Sequence, residues 1–206
     1  MTDFTTLIAV GLAFWVVAAS PGPANISNAT IAMRYGRKPS LIYGAGLSVA
    51  LAFWGVLAAT GMGAVMQASV GLLIALKLFG GAYLLWLAWQ SARSAISPQP
   101  GAVANLPSGK WFLRGLMLNL SNPKSVIAWM AALSVGLDPN ATTTSVAAAT
   151  LLCVSVAFAN NVIYSLAFST SGMMVVYERS RRWVDGVVAG LFTVAGLGLL
   201  RSALAK

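Results

Sequence analysis

Long apolar runs separated by short polar stretches are the main pattern along the chain. A helix needs about 20 mostly apolar residues to cross a bilayer, and six segments satisfy this length. They lie at roughly 4–33, 41–66, 68–95, 111–137, 143–174 and 184–204. The pattern therefore predicts an all-α, polytopic membrane protein with six transmembrane helices.

The first and fourth of these segments are over-long and contain poor helix formers. The first covers about 30 residues, which as one straight helix would be about 45 Å long, whereas the hydrocarbon core of a bilayer is about 30 Å thick. It contains SPGPANISNA, with Pro21 and Pro23, and the fourth segment contains LSNPKSVIAW, with Pro123. Because proline removes a backbone donor and clashes with the preceding turn, both segments are predicted to be broken helices.

Each broken segment is the first of a group of three. Since three is odd, the second group would enter the membrane from the opposite side, and a duplication would give an inverted repeat of three plus three. The predicted organisation is a single transmembrane transporter domain over 1–206, with repeat one at about 1–95, a cytoplasmic linker at about 96–110 and repeat two at about 111–206. Broken helices at corresponding positions of inverted halves point to the binding site of a transporter.

The distribution of Lys and Arg predicts how these segments are oriented in the membrane. The chain has 13 Lys and Arg against 4 Asp and Glu, and its basic residues cluster in the loops at 34–40, 94–110 and 177–183. The positive-inside rule places these loops in the cytoplasm and both termini outside. Basic residues in short loops between apolar segments do not form the basic face of a nucleic-acid-binding protein, so no nucleic-acid partner is expected. Asp3 replaces the basic start of a secretory signal, so the first segment is expected to remain as a span.

Composition removes most enzymatic interpretations. The chain has no histidine, and its single cysteine, Cys153, lies within an apolar segment. Histidine is the commonest general base and metal ligand, and one cysteine cannot form an intramolecular disulfide or a redox pair. No catalytic residue, metal site or cofactor is therefore predicted. A membrane thiol-redox protein is the least favoured alternative, because it would need a second cysteine.

Polar residues at the two breaks and inside the spans are the candidates for a binding site. Half-helices that begin near Pro23 and Pro123 would point their positive dipole ends at a carboxylate. Lys124 and Lys77 are costly inside the membrane, although each could instead snorkel to the headgroups. For Asn160 and Asn161 the alternative is interhelical hydrogen bonding. The predicted substrate-binding residues are Pro21, Gly22, Pro23, Asn25, Asn28, Lys77, Asn122, Pro123, Lys124, Asn160, Asn161 and Tyr164.

The acidic residues constrain the substrate. Asp3, Asp138, Glu178 and Asp185 all fall at the ends of the predicted segments. A dicationic substrate would lack a counter-charge within the membrane, and a proton relay or sodium site would lack its usual carboxylate. A neutral zwitterionic or an anionic substrate is therefore expected.

Four motifs, taken together, suggest a family. They are SPGPAN in the first segment, RYGRKPSLIYGAG entering the second, LKLFGGAYLLWLAW in the third and LNLSNPKSVIAW in the fourth. In these positions the chain resembles the lysine-exporter (LysE/RhtB) family of bacterial amino-acid exporters. The resemblance implies a six-span protein of the bacterial inner membrane that exports amino acids or close derivatives, driven by the membrane potential or a proton gradient. It also implies that residues 21–23 form the first broken element and residues 122–124 the second.

The chain departs from the family pattern at one position. Many members have Asp or Asn directly after PGP, whereas this chain has Ala24, which argues against proton coupling and cationic substrates. The hypothesis is a secondary transporter that exports a small neutral amino acid by alternating access, with the substrate and the lipid bilayer as its partners. A homo-oligomer is left open. The alternative is a non-transporting membrane scaffold, which needs neither buried lysines nor paired breaks.

Overall fold

The protein is all-helical over the residues that the structure describes. A computed structural model describes residues 4–68, 70–96, 109–122, 124–126, 128–129, 132, 142–170 and 172–204. The helical residues 124–126, 128–129 and 132 are called the 124–132 segment. The helices are α1 (Phe4–Ala19), α2 (Pro23–Tyr35), α3 (Arg37–Ala68), α4 (Val70–Ile96), α5 (Trp111–Leu120), α6 (Thr143–Ala167) and α7 (Met173–Leu204).

The predicted break in the first segment is confirmed. Helices α1 and α2 are separated by residues 20–22 and are bent by 62° relative to each other. Gly22 is extended at the N-cap, and Pro23 occupies the start of α2, where its fixed φ angle suits a helix and its missing N–H costs nothing. Gly36, with a φ angle of 86°, then turns the chain into α3.

Several helices have the length and apolarity of membrane spans. Among the described residues these are Arg37–Gly61 within α3, Thr143–Ala167 and Val175–Leu204 within α7, and the bent pair of α1 and α2 adds a fourth. A bilayer-spanning helix needs about 20 apolar residues, which each of these stretches satisfies. The all-α class and the polytopic apolar architecture follow the prediction.

The fourth segment is also interrupted. Helix α5 ends at Leu120, and the amide of Ser121 donates to the Met117 carbonyl oxygen at 3.1 Å. Asn122 is non-helical, and helical structure resumes at Lys124. The interruption therefore coincides with the predicted second break, although Pro123 itself lies outside the described residues.

The helices pack in a way that surrounds both breaks. Helix α4 packs along α7, α3 contacts α5 and α6, α1 contacts α6, and α2 lies against α3 and α6. Phe14 of α1 and Trp129 of the 124–132 segment are in ring contact, with centroids 4.7 Å apart, and Cys153 of α6 is fully buried in the same core cluster. The two interruptions lie side by side, because the Lys124 side chain after the second donates to the Ser20 carbonyl oxygen at the first.

Two predicted cytoplasmic loops are helical instead. The stretch 177–183 is part of α7, and the stretch 34–40 is interrupted only at Gly36. In α7 the Arg181 guanidinium lies 3.6 Å from the Asp185 carboxylate one turn later, and such pairs one turn apart support a helix through a polar stretch. Asp185 therefore lies within α7, and is only 2% exposed, whereas the sequence pattern placed it at the end of a span. The predicted linker lies largely outside the described residues.

Candidate functional site

The end of α1 leaves carbonyl groups that no further helical turn can satisfy, and side chains from other elements donate to them. Asn25 Nδ2 donates to the carbonyl oxygens of Ala18 at 2.6 Å and Ser20 at 2.9 Å. The Tyr164 hydroxyl donates to the Ala19 carbonyl oxygen at 2.9 Å. The unwound end of α1 is thus held by a side chain from α2 and another from α6.

Asn160 joins the same group of contacts. Its Nδ2 atom lies 3.4 Å from the Ala18 carbonyl oxygen and 3.5 Å from Asn25 Oδ1. Both contacts are long for hydrogen bonds, so the Asn160 amide is only loosely engaged. Of the two adjacent asparagines predicted in α6, Asn160 is the one that reaches the first break.

Lys124 lies between the two half-helices of the first segment. Its Nζ atom donates to the Ser20 carbonyl oxygen at 3.0 Å, to the Ser20 hydroxyl and to the Pro21 carbonyl oxygen at 3.5 Å. A Cβ atom on Gly22 would lie 3.1 Å from the same Nζ atom. The ammonium group therefore adjoins both the carbonyl end of α1, which carries negative dipole charge, and the N-terminal end of α2.

The second break is organised by two asparagines. Asn122 Oδ1 accepts the Lys124 amide at 3.1 Å, which is the contact of a helix N-cap. Asn119 is buried, donates from Nδ2 to the Leu47 carbonyl oxygen at 2.8 Å and accepts from Ser125 Oγ at 2.8 Å. Asn119 and Ser125 are absent from the predicted site. The signal that could have found them is helical spacing, because Asn119 precedes Asn122 by one turn.

A partly open cavity lies between the two breaks, with about 480 Å³ of space that includes its opening to the outside. Apolar side chains of α1 and α3, including Phe14 and Leu51, line part of it. Among the described residues that line it, none is acidic, and Lys124 is the only charged one. Its polar lining side chains are those of Asn25, Asn119, Asn122, Lys124, Ser125, Asn160 and Asn161.

Asn28 lies in a separate buried network that joins α2, α3 and α6. Its Nδ2 atom donates to the Asn161 carbonyl oxygen at 3.2 Å, and its Oδ1 atom accepts from Ser40 Oγ at 2.8 Å. Asn161 Nδ2 donates to Ser48 Oγ at 2.9 Å, so the Asn161 side chain lines the cavity from within this network. We call the contacts of Asn28, Ser40, Ser48, Asn161 and Ser165 the Asn28 network. Buried and hydrogen-bonded on several sides, it has the character of an interhelical connection.

The structure thus brings together most of the predicted site residues. Pro21, Gly22 and Pro23 form the first break itself. The side chains of Asn25, Asn122, Lys124, Asn160 and Tyr164 surround it. The side chain of Lys77 and the whole of Pro123 fall outside the described part of the chain.

Comparisons with known proteins give the chain its relatives. The family model described as LysE type translocator matches residues 15–203. The threonine efflux protein of Escherichia coli (strain K12) is 27% identical over 201 residues, which is 95% of this chain and 97% of that protein. The cysteine/O-acetylserine efflux protein of Klebsiella pneumoniae is 28% identical over 182 residues, covering 87% and 91% of the two chains. The homoserine/homoserine lactone efflux protein of Salmonella typhi is 34% identical over 119 residues, 57% of each chain. No solved structure matches significantly.

Proposed function

The chain belongs to the LysE type translocator family, and from this premise we propose that it is a secondary transporter. Its cargo is a small neutral amino acid or a close derivative, exported across the bacterial inner membrane. Relatives that align over most of the chain are named for the efflux of threonine and of cysteine and O-acetylserine. These compounds carry no net charge on their side chains, which supports a neutral cargo.

The observation that carries this proposal is the position of the Lys124 ammonium beside Gly22. Gly22 provides no side-chain cap to the first turn of α2, so that turn can offer its amides to a ligand. A carboxylate bound there would meet both the positive helix end and the Lys124 ammonium. The substrate-binding residues that we propose at this end of the cavity are Gly22, Asn25, Asn122, Lys124 and Asn160.

The character of the described cavity lining supports a neutral side chain on the cargo. No described lining residue is acidic, so a cationic side chain would lose its hydration without gaining a counter-charge. The apolar wall that includes Phe14, Val17 and Leu51 suits a short side chain. The cargo that fits best is therefore a zwitterion with a small uncharged side chain.

For the architecture we propose the inverted repeat of three plus three, with alternating access around the cavity. The repeats would be α1 to α4, and α5 with the 124–132 segment, α6 and α7. The packing supports this pairing: α3 contacts α5 as α6 contacts α1, and the equivalent helices α4 and α7 pack against each other. Broken first helices in both repeats would then place the site at the midplane.

For the orientation we propose that the basic stretches at 34–40, 94–110 and 177–183 face the cytoplasm and that both termini face outward. The helical structure of 177–183 does not alter this argument, because the rule concerns the position of Lys and Arg near the membrane surface. Cargo would then move from the side of the basic stretches, the cytoplasm, to the side of the two termini.

The proposal is tested by efflux of labelled threonine from proteoliposomes that contain the purified protein. We expect Lys124→Ala to lower the rate at least about tenfold, which corresponds to about 1.4 kcal/mol of lost interaction. Lys38→Ala, which removes an exposed lysine at the start of α3, is the matched control and should transport like the wild type.

Two results would count against this assignment. Wild-type rates in a correctly inserted Lys124→Ala variant would remove Lys124 from the site. A wild-type protein that moves none of threonine, cysteine, homoserine or alanine would overturn the exporter function and favour the non-transporting scaffold.

A further inference from the structure

The last residues of the first half-helix form a small cluster of oxygen atoms around the Lys124 ammonium. The Ser20 carbonyl oxygen lies 3.0 Å from Nζ, the Pro21 carbonyl oxygen lies 3.5 Å away, and the Ser20 hydroxyl completes the group. Ser20 is 1% exposed, so its two oxygens are removed from water. Carbonyl groups at the C-terminal end of a half-helix carry negative dipole charge and are the kind of ligand that binds a monovalent cation.

The neighbouring carbonyl groups are occupied in another way. The Ala18 and Ala19 carbonyl oxygens accept from the side chains of Asn25 and Tyr164. They are therefore satisfied by neutral donors. The Ser20 carbonyl oxygen also accepts from Asn25 Nδ2, at 2.9 Å, and the Ser20 and Pro21 oxygens are those that accept from the Lys124 ammonium.

Among the described residues, no carboxylate forms an ion pair with Lys124. The salt bridge seen in the described residues joins Asp185 to Arg181, both in α7. The groups that face Lys124 are neutral: Ser20, Pro21 and Gly22 at the first break, and Asn122 on its own side. Tyr164, a titratable residue of α6, donates to the neighbouring Ala19 carbonyl oxygen. Within the described part of the chain, the ammonium is thus held by neutral oxygens, as a free cation would be.

We propose that the C-terminal end of α1 is a binding site for a small monovalent cation, and that the tethered ammonium of Lys124 fills it in place of a free ion. The chemical class of the ligand is a primary ammonium, for which a donor to oxygen distance of 3.0 Å is normal. The wild-type protein therefore needs no added sodium at this position. Removal of the lysine side chain should leave a vacant site that a free cation can enter.

The test is chemical rescue of Lys124→Ala, followed by thermal unfolding in detergent. Cys153 is fully buried, so a thiol-reactive fluorescent dye reports unfolding through this residue. We expect ethylammonium chloride to raise the melting temperature of Lys124→Ala by about 2 to 4 °C in a concentration-dependent way. Choline chloride at equal ionic strength should have no effect, because its trimethylated headgroup has no N–H donor.

Matched variants show whether rescue occurs at these oxygens. Wild type and Lys38→Ala should gain less than about 1 °C from ethylammonium, because the tethered ammonium already occupies the site. Adding Ser20→Ala to Lys124→Ala removes one oxygen and should at least halve the gain. Sodium is a further arm of the same experiment, and rescue of Lys124→Ala by sodium would also support a vacant cation site.

The proposal is overturned if neither ethylammonium nor sodium raises the melting temperature of Lys124→Ala, or if sodium stabilises the wild type. Should Lys124→Ala not fold under any condition, Lys124→Met decides. This variant keeps the length of the side chain without the charge and is expected to melt below the wild type, whereas melting at the wild-type temperature would show that no cation is needed. These measurements follow folding and not flux, so their failure is distinguishable from failure of the exporter function.

Discussion

Gly46 of α3 and Gly115 of α5 bring the backbones of these two helices into direct contact. A Cβ atom on Gly46 would overlap the Phe112 carbonyl oxygen, and one on Gly115 would overlap the Tyr43 carbonyl oxygen. Small residues allow such close approach of helices in membranes. Since α5 leads into the second break, this contact also fixes the place where Asn119 and the 124–132 segment meet α3.

We expect Gly46→Ala to destabilise the protein, because the added methyl group meets backbone atoms that cannot rotate away. Overpacking of this kind costs about 1 to 3 kcal/mol, which corresponds to a fall of about 3 to 10 °C in melting temperature for a chain of this size. Thermal unfolding in detergent checks the prediction. Gly61→Ala in the same helix is the control, since a Cβ atom there would meet nothing within 4 Å. Equal melting temperatures of the two variants would show that the helices are further apart.

The Asn28 network should matter for folding more than for transport. Asn28→Ala removes two buried hydrogen bonds, one from Ser40 and one to the Asn161 carbonyl oxygen, and each such bond contributes about 0.5 to 1.5 kcal/mol. We expect a lower melting temperature with an apparent KM for threonine within about twofold of the wild type. Asn25→Ala, at the cavity, should instead change the KM. A tenfold KM change in Asn28→Ala without loss of stability would return Asn28 to the binding site.

The breaks could be predicted from the sequence because proline acts locally. Pro21, Pro23 and the Asn-Pro-Lys stretch disrupt helical hydrogen bonding wherever they occur in a helix, so their position along the chain was sufficient. The approach of Lys124 to Ser20 is different in kind. It joins residues 104 positions apart, and depends on how two segments pack, which hydropathy does not describe.

Dependence on packing also explains which residues the sequence pattern missed or misplaced. Asn119 and Ser125 are polar residues beside a break, but only the packing of α5 on α3 shows that Asn119 bonds to Leu47. Asp185 was placed at a span end because charged residues lower hydropathy. In the folded chain Ser94 of α4 and Arg181 satisfy its carboxylate, so the helix continues through the charges and the predicted loop is absent.

The contact of Asp185 with Ser94 should couple α4 to α7. Ser94 Oγ donates to Asp185 Oδ2 at 2.6 Å, and Asp185 is 2% exposed. Removing one partner of a buried charged contact is expected to cost about 3 kcal/mol, so Asp185→Ala should melt well below the wild type. Glu178→Ala, an exposed position of the same helix, should have little effect.

A double-mutant cycle separates this contact from general damage. Because Ser94→Ala and Asp185→Ala remove the same hydrogen bond, their combined effect on the free energy of unfolding should be smaller than the sum by about 0.5 to 3 kcal/mol. Additive effects would show that the two side chains do not interact. The free energies are obtained from unfolding of the purified protein at equal detergent concentration.

The proposed orientation can be tested by labelling single cysteines from outside the cell. Cys153 is buried, so Cys153→Ala provides a cysteine-free background. Under the positive-inside rule, Thr143→Cys at the start of α6 should react with a membrane-impermeant thiol reagent in intact cells. Lys38→Cys, at the start of α3, should react only after the cells are opened. The reverse pattern would place the basic stretches outside and reverse the direction of the proposed export.

Ala24 offers the sharpest test of why the cargo should be neutral. This residue lines the cavity and directly follows the Pro-Gly-Pro sequence of the first break. Ala24→Asp would add a carboxylate to a cavity whose described lining contains no acidic residue, so a cationic side chain would gain a counter-charge. We expect the ratio of lysine to threonine transport to rise at least about tenfold, equivalent to about 1.4 kcal/mol. Competition of unlabelled lysine with labelled threonine in proteoliposomes measures this ratio.

Ala24→Asn has the same size without the charge and should keep the wild-type preference. An unchanged ratio in a folded Ala24→Asp variant would mean that cargo charge is sensed elsewhere in the protein.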